Sequence, residues 1–171
     1  MIQPLASEGS LVAQFFHHNT WANLRLLDAL ANLNDEQFDT NAVGTMGTVR
    51  ETIVHIIGAE TRYLASLTGQ PRPEALERQP FPGIDDLRER AQRTGEGLAQ
   101  VAARSTPQDT IETQWQGVTA YLKVSTVLIQ AINHGAEHRA HIATILTQLG
   151  IEPPGMDGWA YNTYIEGSMP G

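Results

Sequence analysis

Apolar residues recur at helical spacing in four long stretches of this chain, and the polar or glycine-containing breaks between them mark where each helix stops. Over residues 10–32, Leu11, Phe15, Trp21, Leu24, Leu27 and Leu30 fall at helical intervals, broadened by Phe16 and Leu26, before the polar turn Asn32, Leu33, Asn34, Asp35. The second stretch has the sharpest start: Thr48 with Glu51 three residues on predicts a capping box. Ile53, Ile56, Ile57, Leu64 and Leu67 follow as its stripe, and Gly69 with Pro71 and Pro73 ends it. A proline-rich connection over residues 71–82 leads to a third, charged helix over residues 84–104, whose apolar positions are sparse: Leu87, Ala91, Leu98, Val101 and Ala102. Gly95 and Gly97 lie inside it, each weakening a helix by about 1 kcal/mol relative to alanine. Residues 107–123 are rich in threonine and aromatics around Gly117, which predicts an extended segment or a short hairpin. The fourth helix covers residues 125–149, with Val127, Leu128, Ala131, Ile132, Ile142, Ile145, Leu146 and Leu149 as its stripe and Gly150 as its stop.

Four helices joined by one long connection predict an all-α four-helix bundle, an architecture that builds metal sites from side chains on facing helices. The tail over residues 153–171 carries Trp159, Tyr161 and Tyr164, too aromatic for a free linker, and is expected to pack over one end of the bundle. A chain of 171 residues fits one domain with a substantial core.

Composition narrows the chemistry. Cysteine is absent, so disulfides, iron-sulfur clusters, thiolate zinc sites and a cysteine nucleophile are excluded, and any metal must be held by imidazole, carboxylate or water. A net charge of -8 repels phosphate backbones, and no basic patch offsets it. Arg88, Arg90 and Arg93 are interleaved with Asp85, Asp86 and Glu89, the pattern of a solvated helix face. No nucleic-acid partner is expected. Neither a signal-peptide pattern nor an apolar run of membrane-spanning length is present, so a cytoplasmic protein with no membrane partner is expected.

Histidine is therefore the ligand type to follow. His134, His138 and His141 stand at i, i+4 and i+7 on the fourth helix, along the margin of its stripe, and His55 lies at the edge of the second helix's stripe beside the small residues Thr52 and Ala59. Imidazoles crowded on one face repel when protonated, and a metal that keeps them neutral explains the crowding. The residues leave the ligand set open. His134 with His138 is the usual helical chelating pair, His138 with His141 a weaker one, and one straight helix does not easily supply all three to one ion. The adjacent His17 and His18 point about 100° apart and do not chelate together, although one of them could still face the site.

Two competing motifs fit less well. Residues 134–138 spell H-x-x-E-H, the inverzincin string with the glutamate as base, but it needs a further carboxylate ligand well downstream. The only glutamates after His138 are Glu152 and Glu166, in a tail rich in proline and glycine. A di-iron carboxylate bundle needs Glu-x-x-His on two helices, and the string occurs nowhere in the chain.

Three stretches together resemble the DinB family, including its YfiT-like members: residues 16–23 on the first helix (FHHNTWAN), residues 47–60 on the second (GTVRETIVHIIGAE) and residues 133–141 on the fourth (NHGAEHRAH). The tail over residues 153–161 (PPGMDGWAY) is also similar to family C-termini. The resemblance implies an up-down-down-up bundle with a divalent metal held by one histidine of the second helix and two, four apart, of the fourth. Carried over by position, these are His55, His134 and His138. His141 stands where many relatives have glutamine, which leaves its part in the site open. Relatives imply an open metal position that activates a low-molecular-weight thiol or a water for transfer, isomerisation or hydrolysis of a small-molecule substrate. Zn or Ni is the expected ion, with Fe or Mn as the alternatives.

The resulting expectation is a metal-dependent hydrolase or thiol-dependent transferase. Glu137, about 60° from His134 around the helix, is a candidate base or partner to a ligand; the other reading makes it a solvent-facing glutamate paired with Arg139 or a neighbouring helix. Asn19, Trp21 and Asn23 are candidates for the pocket mouth, with Trp21 equally suited to the core. The contrasting expectation is a metal-binding structural or stress-response module without turnover, acting as a homodimer, its site closed by a fourth protein ligand such as His141 or His17.

Overall fold

The computed structural model describes residues 10–115 and 117–167. Helix α1 (Leu11–Leu30) opens at Ser10, whose hydroxyl accepts from the Val12 amide, and α2 (Asp35–Phe38) is a single turn fixed by a capping box between Asn34 and Gln37. Helix α3 (Val49–Thr68) begins at the predicted box: the Glu51 amide donates to Thr48 Oγ1 at 3.1 Å and the Thr48 amide to Glu51 Oε2 at 2.8 Å. It ends at Gly69, in the left-handed conformation that favours glycine. A 3-10 turn (Leu76–Arg78) interrupts the connection to α4 (Ile84–Arg104). Strands β1 (Thr110–Trp115) and β2 (Val118–Lys123) pair antiparallel as a hairpin, running from Thr110 opposite Lys123 to Trp115 opposite Val118. The chain then enters α5 (Val124–Gln148) and finishes in α6 (Gly158–Glu166).

Two apolar clusters set the helix directions. Phe16, early in α1, shares one with Leu98 and Ala102, late in α4, and with Val124 and Leu128, early in α5. Leu27 and Leu30, late in α1, share the other with Val49 and Ile53, early in α3, with Leu87, early in α4, and with Ile142 and Leu146, late in α5. Helices α1 and α5 therefore run one way and α3 and α4 the other, the up-down-down-up order. Helix α1 packs chiefly on α4, and α3 on both α5 and α4. Because α3 and α4 run in the same direction, the chain must return along the bundle between them, and residues 69–83 are that crossover.

Two expectations change here. The glycine in the middle of α4 is a packing residue: a β-carbon on Gly95 would fall on the Thr20 side chain, so its absence lets α4 approach α1 closely. The tail does not cap an end of the bundle. Helix α6 lies against the middle of α1, where Tyr161 and Tyr164 meet Trp21 at ring-centroid distances of 5.2 and 5.7 Å. His18 Nε2 donates to the Met156 carbonyl at 2.9 Å, and Met156 packs on the core. Among the described residues, no helix is long and apolar enough to cross a membrane.

Candidate metal centre

Between the two apolar clusters the bundle has a polar waist, and the histidines lie at its α3/α5 side. His55 from α3 and His134 and His138 from α5 each present a ring nitrogen such that the three atoms lie within 4.8 Å of one another. The i, i+4 step brings the rings of His134 and His138 to a centroid distance of 4.4 Å, and His55 comes within 4.8 Å and 5.1 Å of them. Burial first, then the neighbouring charges of His138, His55 and Arg62, bring the His134 pKa down to about 4. Burial lowers His138 as well, with His55 and His141 adding to it. Both are thus neutral near pH 7, the state a metal ligand requires.

Each ring's other nitrogen tells how it is oriented. His55 Nδ1–H donates to Glu77 Oε1 at 2.9 Å, which leaves its Nε2 lone pair facing His134 Nε2, 2.9 Å away. Glu77 is in turn held by a two-pronged contact from Arg62, at 2.8 and 2.7 Å. Burial pushes the Glu77 carboxyl upward, but the Arg62 hydrogen bonds and the His55 contact outweigh it and bring the pKa down to about 2. His138 Nδ1 lies 3.2 Å from His141 Nδ1. His134 Nδ1 is buried and without a partner. Among the described residues no fourth histidine or carboxylate joins the cluster of three, so neither His141 nor His17 closes it. Glu137 is exposed and, among the described residues, forms neither a hydrogen bond nor an ion pair, so it does not pair with Arg139.

Arg139 is committed elsewhere, and its partners correct the expectation for Asn19 and Asn23. Both asparagines are buried, and neither lines the two clefts that meet at His55. Each accepts from Arg139 Nη1, at 2.8 and 2.7 Å, and each donates its Nδ2 to Glu60 Oε1, at 2.8 and 3.0 Å. This network joins α1, α3 and α5 through the centre of the bundle, and burial raises the Glu60 pKa and lowers that of Arg139. Gly135 makes room for it: a β-carbon there would sit 2.9 Å from Arg139 Nη1 and from Asn19 Oδ1. Trp21 is buried under α6 and likewise lines neither of those two clefts.

Periodicity and spacing do not single out Glu77 or Arg62 as parts of the site, nor Glu60 as a buried charge's partner. Glu60 and Arg139 do carry a legible mark, because they fall in register with the apolar stripes Ile53, Ile57, Leu64 and Leu128, Ala131, Ile142. A charge inside such a stripe is a buried group in need of a partner.

Two clefts meet at His55. One, of about 580 Å³, opens over His55 and His134 and is walled by Arg62, Tyr63, Arg72 and the hairpin residues Ile111 and Leu122. The other, of about 360 Å³, lies on the Glu77 side and is walled by Met46, Val54 and Phe81.

The sequence model of the DinB family matches residues 1–167. A crystal structure of a DinB-like protein from Bacillus cereus ATCC 10987 matches with a TM-score of 0.63 over 84% of this chain and 94% of that one. At 18% identity that likeness bears on the fold. None of the curated proteins compared is a significant match.

Proposed function

The chain belongs to the DinB family, and from that premise we propose that it is a metal-dependent enzyme acting on a small molecule, with His55, His134 and His138 as the ligands. The observation that carries this reading is the convergence of three ring nitrogens within 4.8 Å, two of them, from His55 and His134, on residues that wall a cleft. Two of the three rings are held neutral by burial. An all-imidazole donor set suits Zn or Ni first and Fe or Mn second. An ion held by these three residues would supply Lewis acidity that lowers the pKa of a thiol or water brought to the cleft. Glu77 keeps the proton of His55 on Nδ1 and so keeps Nε2 free to donate its lone pair; Arg62 holds Glu77 in place. His141 gives His138 a partner at Nδ1, leaving Nε2 for the ion. The neighbouring cleft favours turnover over a closed structural site.

The test is elemental analysis of protein purified without a histidine tag or nickel column, beside His134→Ala and His138→Ala. Near-stoichiometric metal in the wild type, lost in both variants with helical content retained, is the expected result; full occupancy in His138→Ala would sink the ligand assignment. Titrating a cobalt-substituted site with a low-molecular-weight thiol then separates the two chemistries: a changed absorption supports thiol transfer, and an unchanged one supports water activation. The exposure of Leu11 and Phe15, one turn apart on α1, supports a homodimer in solution, which sedimentation equilibrium measures directly.

A further inference from the structure

The larger cleft differs in charge from the rest of the molecule. The chain carries 19 acidic against 11 basic residues, yet the charged side chains on this cleft's wall, apart from its histidines, are Arg62 and Arg72, and no carboxylate lines it. Their situations differ. Arg62 is occupied, both of its terminal nitrogens donating to Glu77. Arg72 is exposed and, among the described residues, has neither an ion pair nor a hydrogen bond. Among the described residues, its guanidinium is the uncompensated fixed charge of the cleft. The Tyr63 hydroxyl and the Gln130 amide also make no hydrogen bond within the described chain, so their donors are free for a guest. Val127, Ile111 and Leu122 supply apolar wall between these polar groups. The volume of about 580 Å³ falls in the range of small-molecule sites.

We propose that this cleft binds a small organic anion, with its carboxylate on Arg72 and its other end at His55 and His134. The planar fork of a guanidinium matches a carboxylate in two-point contact. A neutral or cationic guest would leave Arg72 uncompensated, whereas an anion meets a cleft that is positive on an otherwise acidic molecule, where field focusing also favours its capture. Arg72 is thereby a specificity-determining residue, and Arg62 a positioning residue for Glu77. The inference rests on the metal-enzyme reading only for the place of the reacting end.

The test uses cobalt-substituted protein titrated with ω-mercaptocarboxylates of increasing chain length against the ω-mercaptoalcohols of the same lengths, in the wild type, Arg72→Ala and Arg72→Lys. The cobalt absorption reports binding. At the length that spans the cleft, the carboxylate should bind about tenfold more tightly than the alcohol, as a charge-assisted hydrogen bond implies. Arg72→Ala should abolish that preference and Arg72→Lys keep part of it, with cobalt content unchanged in both. Equal affinity at every length, or a preference that survives in Arg72→Ala, overturns the proposal. If the wild type takes up no cobalt, the metal reading fails separately, and calorimetry of the mercaptocarboxylates on the metal-free chain decides this one: heat lost in Arg72→Ala supports it, and its absence in the wild type refutes it.

Discussion

Replacing Glu77 tests whether the crossover tunes the histidine cluster. Its carboxylate accepts from His55 Nδ1 and from both terminal nitrogens of Arg62. In Glu77→Gln the carbonyl oxygen can keep the His55 contact, but the amide nitrogen meets Arg62 donor to donor. The environment holds the carboxyl at about 2 against its ordinary 4.5, a preference for the ionised form of roughly 3 kcal/mol. The side chain is 28% exposed, so solvent screening reduces that to about 1–2 kcal/mol, most of it from Arg62. A partner that orients a ligand histidine is worth about 10-fold to 100-fold in metal affinity. Glu77→Gln, which keeps an acceptor, belongs at the lower end, and Glu77→Ala, which keeps none, at the upper. The assay is competition for zinc against a chromophoric chelator, with thermal melting of the metal-free proteins recorded in parallel. Glu77 also has a pH signature of known sign. Its folded pKa is depressed, so its contribution is complete above pH 4.5 and is lost as pH falls toward 2; the acid limb of stability should flatten in Glu77→Gln. Wild-type zinc affinity in both variants would refute the reasoning, as would an affinity loss that only follows the loss of melting temperature.

His134, with its pKa near 4 against an ordinary 6.5, makes the metal-free protein acid-sensitive: the unfolded chain takes up the proton first, so stability is full above pH 6.5 and declines as pH falls toward 4. Urea midpoints at pH 7 and pH 5 should diverge in the wild type and converge in His134→Gln; parallel behaviour of the two proteins removes His134 as the cause. Gly135→Ala gains about 1 kcal/mol of helix propensity, but its β-carbon would press on Arg139 Nη1 and Asn19 Oδ1 at 2.9 Å, so net destabilisation of about 1–2 kcal/mol is expected in denaturant titration. A stabilised variant would show that the network yields. Glu60→Ala removes the acceptor of both asparagine amides and leaves Arg139 buried without its counter-charge, a loss of about 3–5 kcal/mol. Glu60→Gln keeps an acceptor and should lose less, and equal losses on chemical denaturation would contradict that ordering.

The parts that were legible in the sequence are those fixed within a few residues of the chain. Thr48 and Glu51 announce the start of α3, and the four-residue step from His134 to His138 makes a chelating face wherever α5 lies. The course of residues 69–83 follows no periodicity, so nothing local links Glu77 to His55, 22 positions earlier. Asn19 and Asn23 read as candidates for a pocket mouth because a polar residue on a helix normally faces solvent or a cleft, yet both are buried. Their partners there are Glu60, 41 positions from Asn19, and Arg139, 120 positions from Asn19. Gly95 was similarly ambiguous. Its cost to helix propensity is local, whereas the Thr20 side chain it accommodates belongs to another helix.

The crossover forced by two neighbouring helices that run the same way carries both Arg72 and Glu77, yet it is fastened to the core mainly by Leu76 and Phe81. If the cleft binds the proposed anion, substitutions at Arg72 and Glu77 would alter the guest accepted and the donor strength of His55 without touching Leu76 or the apolar layers that fold the bundle. On the proposed reading, drift in this one stretch would change what the cleft accepts while the apolar layers, which carry most of the fold's stability, stay as they are.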